Sequence, residues 1–327
     1  MIIYCTNDCL SAHTAKRKAY FKQHSIPCRV VGIANLSNSD VDFATEIKYK
    51  THNKNCFKYA QRLVYAFRIL ISLKPGKSDK VILRGWEFVS LKWLISKKVF
   101  IEITDIPNVV LKWSILRTIF KSIHSKNALL ITSVYFGNFF KSNKYYLWHN
   151  VSYPITINLM KDPIAYETTR IIYAGYLRGI SDLFSRAKWA YDITDFYGKR
   201  NIVGGGSNMI LEKKYFGEYN YKDLNKLYSQ YRFGYISDFF GLNSVINLTN
   251  RIYEVILNFT LPVHIKRDST AYFLDEHDLF YIQSPRELQE VLDMSQKEFL
   301  ALVEKNRGKL LKTIMVENEI LNEVLKG

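Results

Sequence analysis

A cation and a carboxylate stand three residues apart in the stretch TNRIYEVILNFTLPV, residues 249–263. The spacing of its apolar residues predicts a helix, and Pro262 begins the strand that follows. Residues three apart share one helix face, so Arg251 and Glu254 lie together near the start of this helix. An arginine at a helix N-terminus suits a diphosphate, and a glutamate one turn later suits sugar or ribose hydroxyls. The alternative is a surface ion pair on an ordinary helix.

Two loops upstream carry glycines directly after predicted strands. The segment IIYAGYLRG places Arg178 past one strand, and IVGGGSN places Gly205 at the centre of a glycine triplet past the next. Glycines let the backbone approach a phosphate closely, and Arg178 has the charge to clamp a diphosphate. Alone, such a triplet is more often just a tight turn. It is not a dinucleotide-binding fingerprint, because Met209 stands where GxGxxG needs its third glycine.

Strands and helices are predicted to alternate along the first half of the chain. Strands that alternate with helices of about ten residues or more predict parallel βαβ units with helices on both faces of a sheet. A polar loop is predicted between the second strand and the second helix. The predicted strands are Ile2–Thr6, Cys28–Ile33, Lys80–Arg84, Phe100–Thr104, Ala128–Thr132 and Tyr145–His149, and the predicted helices are Thr14–His24, Asn55–Leu73, Trp86–Lys97, Val110–Ser125 and Tyr135–Lys141.

A second alternation follows a proline-containing segment, which we predict to be a linker at residues 153–168. The pattern favours two successive doubly wound α/β domains, at residues 1–152 and 169–305, with a final helix at 306–327. The predicted strands here are Arg170–Ala174, Asn201–Gly204, Phe233–Ile236, Pro262–Ile265 and Leu279–Ile282, and the predicted helices are Ile180–Tyr191, Tyr221–Gln230, Asn247–Asn258, Ser284–Met294 and Gln296–Leu325.

The excess positive charge is confined to the first half. Residues 1–150 hold 24 Lys+Arg against 8 Asp+Glu, whereas residues 151–327 hold 22 of each. A basic domain favours an anionic partner, either nucleic acid, an anionic bilayer or a phosphorylated lipid, and the alternative is a solvated lysine-rich surface without a partner. The four cysteines lack metal-ligand spacing and are interpreted as reduced thiols of a cytosolic protein. The N-terminus lacks signal-peptide features, and no apolar run is long enough to predict a membrane span.

Four segments of the second half follow one another in a recognisable order over about residues 169–265. They are IIYAGYLRG, IVGGGSN, YFGEYNYKDLNKLYSQYRFGYIS and NRIYEVILNFTLPVHI. This order resembles the donor-binding domain of GT-B-fold glycosyltransferases, of the family 4 or group 1 type that builds bacterial surface polysaccharides. The first half adds weaker similarities in EITDIPN, LLITSVYF and LWHNVSYP. The resemblance implies two Rossmann-like domains facing across a cleft, with C-terminal helices packing back toward the N-terminal, acceptor-binding domain.

The resemblance also implies roles for the residues above. Arg251 would meet the donor diphosphate, and Glu254 would meet donor sugar or ribose hydroxyls. Arg178 matches a basic loop that also faces the diphosphate, and the expected donor site further includes Gly205, Thr249 and Asn250. Such enzymes usually work without a bound metal, so no metal and no cofactor beyond the nucleotide-sugar substrate is expected. Leaving-group charge would instead be neutralised by arginines and helix N-termini.

The chain departs from the family pattern at two positions. Many retaining members carry a second glutamate where this chain has Ile246, which leaves retention or inversion of configuration open. The usual glycine five residues after the glutamate is Phe259, which bears on helix–strand packing and on close approach of the donor.

An inverting reaction needs a base on the acceptor side, so a carboxylate or histidine is expected to project from the first domain. Asp105, after the strand FIEITD, is the first candidate, and Asp8 and His13, after the first strand, are the next. A turn or cap role is the alternative for Asp105. A cap or surface position is the alternative for His13, since Ser11 and Thr14 also suit a helix start.

Basic residues precede and enter the second predicted helix, among them Lys50, Lys54 and Lys58. Together with neighbouring aromatic residues they favour contact with anionic lipid headgroups, whereas a core-packed helix with a solvated basic edge is the alternative. The leading hypothesis is a glycosyltransferase at the inner face of the cell membrane. It would move a sugar from a nucleotide-sugar donor to a saccharide acceptor, such as a lipid-linked saccharide of a capsule or O-antigen. The alternatives are a nucleic-acid-binding protein and a catalytically silent GT-B partner subunit.

Overall fold

The computed structural model contains two compact units. One unit is Met1–Thr156 together with Glu317–Gly327, and the other is Ile157–Val316. The linker predicted at 153–168 lies outside the described part of the chain. The described residues are 1–9, 11–35, 46–51, 58–95, 98–104, 114–125, 127–142, 144–151, 171–174, 200–203, 228, 231–236, 251–264 and 269–327.

The first unit is built on a seven-stranded, wholly parallel sheet with the order β3-β2-β1-β4-β5-β6-β7. The chain moves outward from β1 to β3 and then returns to place β4 on the other side of β1. This reversal makes a topological switch point between β1 and β4, where ligands bind in open α/β sheets. The strands are β1 Ile2–Thr6, β2 Cys28–Asn35, β3 Glu46–Thr51, β4 Lys80–Arg84, β5 Val99–Ile103, β6 Ala128–Ile131 and β7 Tyr145–Leu147.

Helices cover both faces of this sheet. Right-handed crossovers place α1 on one face and α2 to α5 on the other, because the chain moves in opposite directions along the sheet. The end of the chain packs on the α1 side, where the Tyr20 hydroxyl donates to Asn322 Oδ1 at 2.7 Å. The helices are α1 Ala12–Gln23, α2 Lys58–Ser72, α3 Trp86–Val89, α4 Ser114–Ser125 and α5 Val134–Phe140, with a 3-10 turn at Lys92–Leu94.

The second unit holds a four-stranded parallel sheet with the order β11-β10-β8-β9. Its core packs Phe233 and Leu261 of the sheet against Phe299 and Val303 of the last helix. That helix, α9, runs from Gln296 to Lys326. The remaining elements are the strands β8 Ile171–Ala174, β9 Arg200–Val203, β10 Phe233–Tyr235 and β11 Leu261–Val263 and the helices α6 Arg251–Leu257, α7 Ser269–Glu276 and α8 Pro285–Leu292.

Several sequence predictions are corrected by these elements. The segment Glu46–Thr51 was predicted to be loop but forms the edge strand β3, and its alternation of charged and apolar residues is the pattern of such a strand. The helix predicted at 86–97 ends at Val89, because the Ser90 hydroxyl donates to the Glu87 carbonyl and the chain tightens into a 3-10 turn. The helix α7 was not predicted. The strand predicted at 279–282 is reduced to one bridge between Ile282 and Val263.

Four described helices end in the same way, with a non-glycine residue in the left-handed conformation. Ser25, Lys141, Phe259 and Asp278 have φ between 49° and 60°. In each case the next residue donates its N–H five residues back, as Ser142 does to the Gly137 carbonyl at 3.2 Å. This is the Schellman arrangement, in which glycine normally avoids the steric cost that a side chain incurs.

Candidate active site

A pocket of about 200 Å³ lies at the switch point of the first sheet. It is lined at the ends of β4 and β5 and by the residue after β1, and the lining includes Asn7, Arg84 and Glu102. Trp86 and His124 contribute from the helices α3 and α4. The pocket therefore occupies the position at which a doubly wound sheet presents its loops to a ligand.

Gly85 is required at the wall of this pocket. Its φ is 93°, and a Cβ atom there would stand 2.5 Å from the Asn7 side chain. The Asn7 amide donates to Glu87 Oε2 at 3.1 Å, which fixes its orientation beside the pocket. Glu87 is fully buried and also faces Arg62, whose guanidinium lies 3.6 Å from the other carboxylate oxygen.

Glu102, on β5, is the centre of a buried charge cluster beneath the pocket. Its carboxylate accepts hydrogen bonds from the Tyr4 hydroxyl at 2.5 Å, from Arg17 Nε at 2.6 Å and from His13 Nε2 at 2.9 Å. Burial alone raises the pKa of Glu102, but Arg17 and His13 outweigh it and hold that pKa well below its ordinary value. The carboxylate therefore stays ionised and accepts every one of these bonds.

Arg17 extends this cluster to the segment after β7. Its two terminal nitrogens donate to the carbonyls of His149 at 2.7 Å and Trp148 at 3.0 Å, and its guanidinium lies 3.8 Å from the centre of the Trp148 ring. Lys16 donates to the Asn150 carbonyl at 3.2 Å. The helix α1 thus holds residues 148–150 in place through buried, charge-assisted hydrogen bonds.

His13 was predicted as a candidate base, with a cap or surface position as the alternative. The structure gives the cap position to Ser11, whose side chain accepts from the Thr14 N–H. His13 is buried in the Glu102 cluster. Burial and the positive charge of Arg84 lower the pKa of His13 to about 3, although Glu102 acts in the opposite direction. The imidazole is therefore neutral at pH 7 and is a weak proton acceptor there.

Of the two carboxylates predicted on the acceptor side, the structure describes Asp8 and not Asp105. Asp8 is half-buried, and its carbonyl accepts from the hydroxyls of Ser11 at 3.0 Å and Thr14 at 2.7 Å, which builds the turn into α1. Asp105 lies outside the described residues. Thr104, the residue before it, lines the pocket.

Arg251 and Glu254 both lie on α6 in the second unit, as the sequence predicted. Between and beyond them Ile252, Val255 and Ile256 are buried, whereas the two charged residues are half-buried. The two side chains are one helical turn apart and share a face of the helix. The other predicted donor residues, Arg178, Gly205, Thr249 and Asn250, lie outside the described residues.

Phe259 occupies the left-handed position that ends α6, with φ 60°. Arg307 of α9 offsets part of the steric cost of this conformation. Its Nε donates to the Leu257 carbonyl at 3.1 Å, and its guanidinium lies 4.6 Å from the Phe259 ring centre. Close packing of α6 on the sheet is provided by Gly234 of β10, where a Cβ would stand 2.8 Å from Val255. The departure from glycine at Phe259 is therefore compatible with tight helix–strand packing.

The remaining expectations from the sequence concern three lysines, metal binding and membrane spans. Lys50 lies in β3 and Lys58 begins α2, while Lys54 lies outside the described residues. Within the described ranges, no group of three or more His, Cys, Asp or Glu residues is placed to hold a metal ion. None of the helices described above is both long and apolar enough to cross a membrane.

The fold matches solved structures over its whole length. HepE from Anabaena in complex with UDP and glucose is 9% identical and superposes with a TM-score of 0.66, covering 100% of this chain and 99% of that one. WaaG, a glycosyltransferase involved in lipopolysaccharide biosynthesis, is 11% identical with a TM-score of 0.60 and 100% coverage of both chains. The chain has the GT-B fold.

A third structure with this GT-B fold is the UDP-forming α,α-trehalose-phosphate synthase from Burkholderia vietnamiensis. It is 10% identical, has a TM-score of 0.63 and covers 99% of each chain. No protein-family model matches the sequence, and no curated protein matches it either. The likeness is therefore one of fold.

The residues that the sequence did not reveal as a group are Glu102, Arg17 and Lys16. A signal was present at Glu102, because a carboxylate interrupts the otherwise apolar strand VFIEI. Charged residues are almost never fully buried unless they are paired, so this position indicated a buried partner without identifying it.

Proposed function

We propose that this chain is a glycosyltransferase that moves a sugar from a nucleotide-sugar donor to a saccharide acceptor. The observation that carries the proposal is the match of the whole GT-B fold to HepE with bound UDP and glucose and to a UDP-forming synthase. The switch-point pocket of the first sheet supports it, because it provides a concave site lined by polar and aromatic side chains.

The second unit supplies the donor site in this proposal. Arg251 pairs with the diphosphate, and Glu254 accepts hydrogen bonds from sugar or ribose hydroxyls. Arg178, Gly205, Thr249 and Asn250 complete the site, and the arginines neutralise the charge of the leaving diphosphate without a metal. The half-burial of Arg251 and Glu254 supports these roles, since both side chains retain contact with solvent.

The first unit supplies the acceptor site in this proposal. The acceptor enters the pocket beside Asn7 and Arg84, and Asp105 is the base if the reaction inverts. Asp8, the residue after Asn7 in the chain, contributes to acceptor binding. The proposed acceptor is a lipid-linked saccharide of a surface polysaccharide, such as a capsule or an O-antigen, and the basic first half supports an anionic carrier.

The donor site is tested by a binding panel of UDP-, GDP-, CMP- and dTDP-sugars, measured by thermal shift and calorimetry. We expect one nucleotide to stabilise the wild-type chain, and Arg251→Ala and Glu254→Ala each to weaken its binding by about 10- to 100-fold, as for a lost charge-assisted hydrogen bond. The matched controls are Arg286→Ala and Glu290→Ala, which remove an exposed ion pair on α8.

The outcomes separate the proposal from its alternatives. Absence of any response to millimolar nucleotide contradicts the donor site, and equal losses in the α8 controls do so too. Binding without turnover identifies a silent partner subunit. Salt-dependent binding to DNA with no response to nucleotide diphosphates identifies a nucleic-acid-binding protein.

A further inference from the structure

His124, near the end of α4, brings a buried imidazole to the switch-point pocket. The residue lines the pocket although only 2% of it is exposed. The centre of its ring lies 3.9 Å from that of Phe120, and the ring is stacked on Phe140 of α5 at 5.0 Å. Because these two aromatic rings pack against it, the orientation of the imidazole is fixed before any ligand binds.

A hydrogen bond within α4 fixes the tautomer of His124. Its Nδ1 lies 2.5 Å from the Phe120 carbonyl oxygen. A carbonyl oxygen can only accept, so Nδ1 carries the proton and Nε2 of the neutral ring is an acceptor. In the part of the chain that the structure describes, no residue donates to Nε2. His124 therefore keeps one acceptor atom for a ligand of the pocket.

The surroundings of His124 keep its ring neutral. Burial lowers the pKa of His124 to about 4, while the hydrogen bond to Phe120 opposes this change and the charge of Lys92 adds to it. The Nε2 lone pair is therefore present throughout the physiological pH range. Such a group is a poor base, but it accepts a hydrogen bond from a hydroxyl at any of these pH values.

Asn7 provides a second uncharged acceptor at the same pocket. Its Nδ2 donates to Glu87 Oε2, which places the amide nitrogen on that side and leaves Oδ1 on the other. Among the described residues, none donates to this oxygen. Glu102 also lines the pocket, but its carboxylate already accepts the three hydrogen bonds given above. Asn7 and His124 thus offer the pocket two neutral acceptors.

Trp86 adds an aromatic surface. It lines the pocket at the start of α3 and is 38% exposed. The chain holds it in place from both sides, because Gly85 before it turns the backbone with φ 93° and Glu87 and Phe88 after it are buried. The C–H groups on one face of a pyranose ring are apolar and pack well against an aromatic ring.

We propose that His124 and Trp86 select the sugar of the acceptor. His124 Nε2 accepts a hydrogen bond from one hydroxyl of this sugar, and the pyranose ring lies against Trp86. A hydroxyl donates to such a neutral acceptor, whereas an ionised diphosphate has no proton to donate and would leave both Nε2 and Asn7 Oδ1 unpaired. The pocket therefore takes the saccharide part of the acceptor and not a phosphate group. This inference rests on the proposed function, which places the acceptor in this pocket.

The test is ligand-observed NMR of the full chain with a panel of methyl glycopyranosides. We expect at least one glycoside to bind the wild type at millimolar concentration, and inorganic phosphate not to displace it. His124→Phe keeps the ring packing but removes Nε2, so it should weaken this binding by about 3- to 10-fold, as for a lost neutral hydrogen bond. His124→Gln keeps an acceptor oxygen and should lose less. Trp86→Ala should also weaken binding, and Trp86→Phe should weaken it less.

A second measurement reports on Nε2 directly. Two-bond proton–nitrogen spectra of the chain labelled with ¹⁵N-histidine distinguish the two tautomers, and His124→Phe identifies the signal of His124 by removing it. We expect the neutral Nδ1–H tautomer at pH 7 and a change in the Nε2 frequency when the glycoside is added. A purely structural role for His124 predicts no such change, so an unchanged frequency overturns the inference.

The matched controls alter similar residues outside the pocket. His277→Phe replaces a histidine of the second unit whose ring centre lies 4.5 Å from that of Phe273. Trp93→Ala removes a tryptophan of the first unit that is 70% exposed. Both controls should leave glycoside binding unchanged, and the melting temperatures of all variants should stay near that of the wild type.

The outcomes distinguish this inference from the proposed function. The inference is overturned if no glycoside binds, if phosphate displaces the glycoside, or if the controls weaken binding as much as His124→Phe does. A wild-type chain that binds a nucleotide sugar but no glycoside overturns the inference and leaves the donor site intact. Glycoside binding that depends on His124, without any response to nucleotides, supports the sugar site and contradicts the proposed transferase.

Discussion

Polar and charged residues have different surroundings in the two units. In the first unit Glu102, Arg17 and His13 are buried, and Arg17 and His13 each donate a hydrogen bond to Glu102. In the second unit Arg251 and Glu254 are half-buried on the side of a short helix. A charged residue that its type or spacing singles out is therefore not by itself a functional group. Its burial decides whether it stabilises the fold or meets a ligand.

The largest expected effect is the loss of stability on replacing Glu102. Glu102→Ala leaves Arg17 buried without its carboxylate, so we expect the free energy of unfolding to fall by about 3–5 kcal/mol. Glu254→Ala, in the second unit, should cost less than about 1 kcal/mol. Urea unfolding of both variants measures the difference. If the two variants unfold at the same urea concentration, the contrast between the units is wrong.

Acid should weaken the first unit through His13. Its pKa is about 3 in the folded chain and about 6.5 when unfolded, so the unfolded chain binds more protons between these values. The contribution of His13 to stability is therefore fully present above about pH 6.5. It falls on acidification by at most about 1.4 kcal/mol per pH unit. Burial also lowers the pKa of His124, to about 4, which adds a change of the same sign.

His13→Gln keeps a donor for Glu102 but cannot take up a proton. We expect its free energy of unfolding to depend less steeply on pH than that of the wild type between about pH 6.5 and pH 4.5. His277→Gln is the control from the second unit, where partial burial lowers the pKa of His277. It should flatten the profile less than His13→Gln, and equal flattening would contradict the assignment.

The smallest expected effect concerns the helix ends. Lys141→Gly on α5 should stabilise the first unit by about 1 kcal/mol, because glycine adopts the left-handed conformation without steric cost. Lys141→Ala keeps the cost and should bring no gain. Phe259→Gly in the second unit relieves the same cost but removes the ring that contacts Arg307 and the core, so it should be destabilising. Thermal unfolding compares the three variants.

Much of the fold was predictable from local patterns. The strands β1 and β4 match their predicted bounds, and most other described elements begin or end within a few residues of them. The edge strand β3 was missed because its alternating charges resemble a polar loop when its partner strand is unknown. The prediction of a strand at 279–282 was wrong for a related reason, because a strand forms only where a neighbouring strand pairs with it.

The candidate site was predictable only in part. The shared helix face of Arg251 and Glu254 was predictable because their relation is local, three residues along one helix, whereas their donor-binding role stays a prediction. Glu102 and Arg17 were missed because 85 positions separate them in the chain, and neither has a local signal of the other. His13 was singled out for catalysis by its residue type, whereas its burial beside Glu102 depends on elements distant in sequence.

Local sequence patterns are enough to predict the alternation of strands and helices, the basic first half and the shared helix face of Arg251 and Glu254. These follow from hydrophobic period and residue spacing, which act over a few residues. The three-dimensional fold is needed to establish which charges are buried together and where the switch-point pocket lies. Burial and pairing are properties of non-local neighbours, and the order of the strands in the sheet determines those neighbours.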